Sequence, residues 1–287
     1  MILKTPAPFS FLKTVESHGW CRLPPFYLDS KRQILTRVER LDGGKIVELE
    51  MEESRAGIQI DFGKDLKSGE VSEIKEKVEW IFRLNEDFSE FYKLCEGEEK
   101  LRHVLDGRRM LRSPSVFEDV VKTILTTNTP WQNTIRMTKN LVEMLGESYK
   151  GFHTFPTPRS IAKTSSEFLK SKVRTGYRSE YIYELSKKIH EGEIDLEMYK
   201  DHRIDTIDLK KELLKLKGVG EYAASCILML LGRYDFVPVD TWARKLVSRE
   251  FFNGEKVTSK EVGEVFERYG KWKFLAYWFY RWGNEVG

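Results

Sequence analysis

Leu209-Lys210-Lys211-Glu212-Leu213-Leu214-Lys215-Leu216-Lys217-Gly218-Val219-Gly220-Glu221-Tyr222-Ala223-Ala224, followed by Val237-Pro238-Val239-Asp240-Thr241-Trp242, is the stretch whose reading decides the fold. Leu209, Leu213 and Leu216 recur at helical spacing and predict a short helix with one apolar side. Lys217-Gly218-Val219-Gly220 supplies a turn, and Ala223, Ala224, Ile227, Leu228 and Leu231 form the buried face of a second helix. Glycines at both ends of so tight a hairpin let backbone approach a phosphate, and the next helix N-terminus aims free N–H groups at it. Lys210, Lys211, Lys215 and Lys217 add local positive charge. An isolated Gly-Val-Gly would only turn a helical pair. Here the second helix leads through Gly232-Arg233-Tyr234-Asp235-Phe236 into Val237-Pro238-Val239-Asp240, so that an Asp stands just before a new amphipathic segment, Ala243 to Phe252.

The pattern remains helical on the N-terminal side of this stretch. Tyr181, Ile182, Leu185 and Ile189 mark an amphipathic helix, and Thr157-Pro158 offers an N-cap and first-turn proline. Ile135, Leu141, Val142 and Leu145 mark a helix ending at Gly146. Ser115 with Glu118 reads as a capping box opening a helix whose apolar face is Val116, Phe117, Val120, Val121, Ile124 and Leu125. That helix ends at Thr126-Thr127-Asn128-Thr129-Pro130. The period changes only below about residue 65. Ile34 to Leu41 reads as a strand, Asp42-Gly43-Gly44 as a turn, and Val47, Leu49 and Met51 alternate with Glu48 and Glu50. Ile58, Ile60 and Phe62 repeat the alternation, which predicts an antiparallel sheet with one face buried and one wet. No strand is expected after Val71. The fold class is α+β: an N-terminal β domain over 1–75 and a mostly helical domain over 76–287. Two helical subdomains, about 112–208 and the remainder, are expected to flank a cleft.

The 287 residues suffice for one large core or two to three smaller ones. No apolar run approaches the roughly 18 residues of a membrane span, and Met1 to Phe11 lacks the continuous apolar stretch of a secretory signal. Cys21, Cys95 and Cys226 lie too far apart for a disulfide framework or a metal-ligand set. No metal site is expected, and a reducing cytoplasmic setting fits. With a net charge of only +3, the global balance does not itself call for nucleic acid.

The hairpin Leu216-Lys217-Gly218-Val219-Gly220, followed some twenty residues later by Val237-Pro238-Val239-Asp240, resembles the helix-hairpin-helix and Asp signature of the HhH-GPD DNA glycosylases. A weaker match extends to Phe155-Pro156-Thr157-Pro158, Gly176-Tyr177-Arg178 and the aromatic C-terminal helix. With the β lobe, this is similar to the 3-methyladenine and 8-oxoguanine branches. The resemblance implies base-excision repair: a damaged purine is flipped out of double-stranded DNA and its N-glycosidic bond is cut. Asp240 is then the catalytic carboxylate, facing the positive charge that develops on the sugar. An Asp there is also an ordinary N-cap. Lys217, Gly218, Val219 and Gly220 grip the DNA backbone. Asn128 is the candidate wedge filling the space left by the flipped base, and Tyr177 and Arg178 press the opposite strand.

Bifunctional relatives carry a Schiff-base Lys two residues after the second hairpin glycine. Here Tyr222 stands instead, similar to the base-stacking aromatic of 3-methyladenine glycosylases, and Trp278 and Trp242 are further aromatic candidates for the base. Tyr222 would serve equally as a core tyrosine, and most of Trp272–Trp278 reads as core. The resemblance thus implies a monofunctional enzyme for alkylated purines, which leave as cations without a general acid. An 8-oxoguanine glycosylase with or without lyase activity is the alternative, suggested by Asn128 and Gly176-Tyr177-Arg178. A non-catalytic DNA-binding protein is the second. No cofactor is expected. The iron–sulfur cluster of the endonuclease III branch lacks its cysteines here, although hairpin carbonyls in this family can hold a monovalent cation. A monomer working with the chromosome, in the nucleoid if prokaryotic, and no membrane contact are implied.

Overall fold

A computed structural model describes residues 1–63 and 65–281. In chain order the sheet strands are β1 (Ile2–Leu3), β2 (Phe26–Asp29), β3 (Ile34–Arg40), β4 (Ile46–Ser54) and β5 (Gly57–Asp61), and a two-residue pair β6 (Ser148–Tyr149) and β7 (Phe152–His153) follows. The helices are α1 (Phe11–Val15), α2 (Ser68–Ile81), α3 (Ser89–Glu96), α4 (Val116–Thr126), α5 (Trp131–Leu145), α6 (Pro158–Ala162), α7 (Ser166–Phe168) and α8 (Arg178–His190). Then come α9 (Thr206–Leu214), α10 (Glu221–Leu230), α11 (Thr241–Phe251), α12 (Ser259–Val265) and α13 (Lys273–Phe279). The fold is α+β, as expected. Among the described residues no helix is long and apolar enough to cross a membrane.

The chain forms two compact units, residues 1–85 with 107–198, and residues 86–106 with 199–287. The change of pattern near residue 65 is a change of element, from β5 to α2, inside the first unit.

In the first unit the sheet runs β1-β5-β4-β3-β2, antiparallel throughout. Val47, Leu49 and Met51 are fully buried while Glu48, Glu50 and Glu52 are only partly covered, so the period-2 reading holds. Their β3 partners on the covered face are Leu35, Arg37 and Glu39. Two charged side chains therefore lie where a core would ordinarily be apolar. Arg37 sends Nη1 and Nη2 to the Glu118 carboxylate on α4, at 3.0 and 2.6 Å, and Nε to Glu39 at 2.8 Å. Lys122 Nζ reaches Glu118 at 2.6 Å. A planar guanidinium matched to two carboxylates satisfies groups that would be very costly to bury alone.

This network corrects the capping box. Ser115 does cap α4, its hydroxyl accepting from the Glu118 N–H at 3.2 Å, but the Glu118 carboxylate belongs to Arg37 and Lys122. The expectation of no strand beyond Val71 is corrected too. The β6–β7 ladder exists because Lys150 and Gly151, both at positive φ, turn the chain back within two residues. Two residues per strand leave no alternation to read.

In the second unit α9 and α10 form the hairpin pair. Leu209 and Leu213 are fully buried and Leu216 nearly so, and Ala224, Ile227 and Leu228 have no exposure.

Candidate active site

The loop ahead of Asp240 is held at several points. Gly232 turns at φ +83, Tyr234 donates its hydroxyl to Glu86 at 2.7 Å, and its ring stacks on Trp272 with centroids 5.4 Å apart. The Tyr234 carbonyl accepts from the Phe274 N–H, and Arg233 Nη2 donates to the carbonyls of Asp201 and Ile204 at 3.2 and 3.0 Å. Val237 and Pro238 are buried. Asp240 thus starts α11 from a fixed approach. It is the N-cap in extended conformation, and Oδ1 accepts from the Ala243 N–H at 2.7 Å. One oxygen fixes the rotamer, as the N-cap reading expects. The cap does not use the second oxygen.

Around this carboxylate stand Tyr222 and Cys226, one turn apart on α10, and Tyr277 on α13. Tyr222 and Cys226 share a side-chain hydrogen bond. The Cys226 side chain, then burial, then the Asp240 carboxylate hold the Tyr222 phenol well above its ordinary range. Burial, with Asp240 adding to it, pushes the Cys226 thiol up to about 12. Burial first, Asp240 second and Cys226 third raise Tyr277 likewise. At neutral pH these are two neutral phenols and a neutral thiol beside one carboxylate. Cys226 and Tyr277 are site residues that the sequence reading did not pick out. A helical i, i+4 step from Tyr222 leads to Cys226, but nothing in the sequence ties α13 to Asp240.

The other aromatic candidates differ in setting. Trp278 is partly exposed, with its ring stacked on Phe274 at 6.0 Å and 18°. Trp242 is 46% exposed on the first turn of α11, with Lys245 Nζ 5.4 Å from its ring centroid.

In the hairpin, Gly218 lies at φ +84, where an L side chain is strained, and the Val219 N–H closes the turn on the Leu216 carbonyl at 3.1 Å. Gly220 is different. Its φ of −97 suits any residue, and a Cβ built there meets nothing within 4 Å. It caps α10 without a side-chain hydrogen bond. Val219 is buried and Lys217 exposed. The positive charge expected here is reduced by pairing: Lys210 with Glu221 at 2.7 Å, Lys211 with Asp208 at 2.8 Å and Lys215 with Glu212 at 2.6 Å.

The remaining candidates lie in the first unit. Asn128 is exposed after α4 with φ +47, a left-handed conformation that Asn tolerates better than most residues. Tyr177 is 51% exposed. Arg178, expected at the DNA surface, is 5% exposed and donates through Nη2 to the Thr127 carbonyl, with its guanidinium 4.4 Å from the Tyr177 ring centroid. Arg178 thus turns inward onto the loop that follows α4.

Fold and site together define a helix-hairpin-helix protein with a carboxylate capping the helix beyond the hairpin. Residues 121–271, more than half of the chain, match the family model described as HhH-GPD superfamily base excision DNA repair protein. The chain belongs to this superfamily of DNA glycosylases. It is 30% identical over 201 residues to a "Probable N-glycosylase/DNA lyase" of Methanothermobacter thermautotrophicus, covering 61% of this chain and 63% of that one. It is 26% identical over 213 residues to a DNA-3-methyladenine glycosylase of Bacillus subtilis, covering 71% and 69%. It shares its fold with a 3-methyladenine DNA glycosylase from Archaeoglobus fulgidus at a TM-score of 0.79 and 24% identity, over 97% of each chain.

Proposed function

We propose that this protein is a monofunctional glycosylase releasing alkylated purines of the 3-methyladenine type from double-stranded DNA. The observation that carries the reading is the setting of Asp240: one oxygen is held by its own helix, and beside it stand the neutral side chains of Cys226, Tyr277 and Tyr222, the last at the position where bifunctional relatives carry the Schiff-base Lys. An N3- or N7-alkylated purine carries positive charge, so the C1′–N bond breaks with its electron pair passing to the base and no general acid is required. The Asp240 carboxylate stabilises the sugar cation and orients water, whose oxygen bonds C1′ while its proton passes to the carboxylate and on to solvent. The phenol rings give a cationic base a π-face. The half-exposed Trp242 and the partly exposed Trp278 are further stacking candidates.

Strand grip falls to Gly218, Val219, Gly220 and Lys217. The uncapped N–H groups at the start of α10 and the open space above Gly220 suit a phosphate. Asn128 fills the place of the extruded base and Tyr177 presses beside it. The hydrolysis runs on water and the carboxylate without a cofactor. A monovalent cation at the hairpin would share the Leu216 carbonyl already used by Val219, and no step depends on it.

Asn128, Gly176-Tyr177-Arg178 and the Methanothermobacter relative's name favour a second reading, an 8-oxoguanine glycosylase with lyase activity. One experiment separates the two. Base release is measured across alkylated and 8-oxoguanine duplexes, with wild type beside Asp240→Asn and with borohydride trapping. Release of 3-methyladenine that is lost in the variant, with no trapped adduct, is expected. A trapped adduct on 8-oxoguanine DNA would establish the alternative.

A further inference from the structure

Thr127 is the last fixed point before Asn128. Its N–H and its hydroxyl both donate to the Ile124 carbonyl, at 3.2 and 2.8 Å, closing the end of α4. Its own carbonyl accepts from Arg178 Nη2 and, at 3.5 Å, from the Tyr177 hydroxyl. The next residue turns to φ +47 and stands exposed. Arg178 is not placed as a surface cation: at 5% exposure its guanidinium lies against Tyr177, and its Nε has no hydrogen-bond partner. A buried guanidinium that leaves one donor unused in order to hold a main-chain carbonyl is costly. Nothing in α8 itself requires it, since a first-turn residue needs no such side chain.

We propose that Arg178 is a positioning residue for Asn128, locking the loop that carries the wedge to the loop that carries Tyr177 instead of touching the DNA strand. The inference rests on the proposed role of Asn128 in base extrusion. A strut of this kind acts wholly through the wedge. Its removal leaves the phosphate-gripping hairpin intact, costs extrusion, and costs nothing further once the wedge side chain is gone.

The test is a double-mutant cycle of Arg178→Met and Asn128→Ala, with Arg178→Lys as the conservative variant. Extrusion is followed by 2-aminopurine fluorescence in a mismatched duplex, alongside affinity for undamaged duplex and single-turnover base release. Arg178→Met should lower the fluorescence amplitude by about tenfold, with no added loss in the Asn128→Ala background. Affinity for undamaged DNA should stay within about twofold of wild type, and its salt dependence should be unchanged. Arg178→Lys, which can still donate to the carbonyl, should recover part of the amplitude and covers the case in which the Met variant does not fold.

Additive losses in the double variant overturn the inference. So does weaker binding of undamaged DNA with a shallower salt slope, the signature of a lost phosphate contact. Absence of any fluorescence change in wild type overturns it as well. Failure of wild type to release alkylated bases while the fluorescence cycle stays non-additive refutes the proposed activity alone.

Discussion

Asp240 carries two jobs that a single substitution can separate. As an N-cap it satisfies the Ala243 N–H, and in the proposed reaction its carboxylate holds a negative charge against the sugar. Asn caps as well as Asp does, whereas Ala does not. Asp240→Asn should therefore leave the thermal midpoint almost unchanged while cutting single-turnover base release by about a hundredfold or more. Asp240→Ala should show the same loss of chemistry together with about 1 kcal/mol of destabilisation. Calorimetry beside the release assay checks both. Equal rates in wild type and Asp240→Asn would remove this residue from the reaction.

The hairpin glycines make the corresponding distinction at the level of an element. Gly218 is demanded by the turn, so Gly218→Ala should cost about 1–2 kcal/mol through its positive φ alone. Gly220 is not demanded by the turn, and Ser is a good N-cap. Gly220→Ser should leave the unfolding midpoint unchanged or slightly raised, yet weaken DNA binding by about tenfold because the side chain stands where a phosphate would approach. Chemical denaturation and a binding titration on the two variants decide it, and undiminished affinity in Gly220→Ser would place the DNA backbone elsewhere. Sequence alone made both glycines look alike. It was reliable where one period and one cap determine an element: α4, α5, α8 to α11 and the β3–β5 strands lie where their apolar spacing put them. It did not reach what depends on distant partners. The two-residue strand β1 is held by pairing with β5, fifty-odd positions away, and leaves no alternation of its own. Tyr277 enters the Asp240 environment through packing of α13, and the inward-turned Arg178 meets a Thr127 carbonyl presented from another loop. Periodicity carries no information about such meetings.

For the whole molecule, the fully buried ion network of the first unit makes stability a function of pH. Arg37 and Lys122 hold the Glu118 carboxyl down to about 2 against the opposing effect of burial, from an ordinary value of 4.5. Its contribution is complete above pH 4.5 and is lost as pH falls toward 2. Beside it, Trp20 donates to Asp119 at 2.8 Å and stacks on His18 at 4.7 Å. Burial, with Arg83 and Lys122 adding to it, lowers His18 from 6.5 to about 3, so its neutral form stabilises above pH 6.5 and that share is lost on the way down to 3. Asp119 acts in the opposite sense. Burial raises it from 3.8 to about 6, so its contribution is present below pH 3.8 and is lost as pH rises through 6. Between pH 6.5 and 4.5 the two act in opposite senses and partly offset each other. Below 4.5 Glu118 adds to His18 while the gain from Asp119 runs out. The thermal midpoint should therefore decline gently to about pH 4.5 and steeply below it. Glu118→Gln should lower stability at pH 7 by about 3–5 kcal/mol, because Arg37 and Lys122 lose their shared carboxylate. The same variant should flatten the steep acid limb. Midpoints by circular dichroism from pH 7 to 2.5 test this, and an acid limb equally steep in Glu118→Gln would assign the loss to other carboxylates.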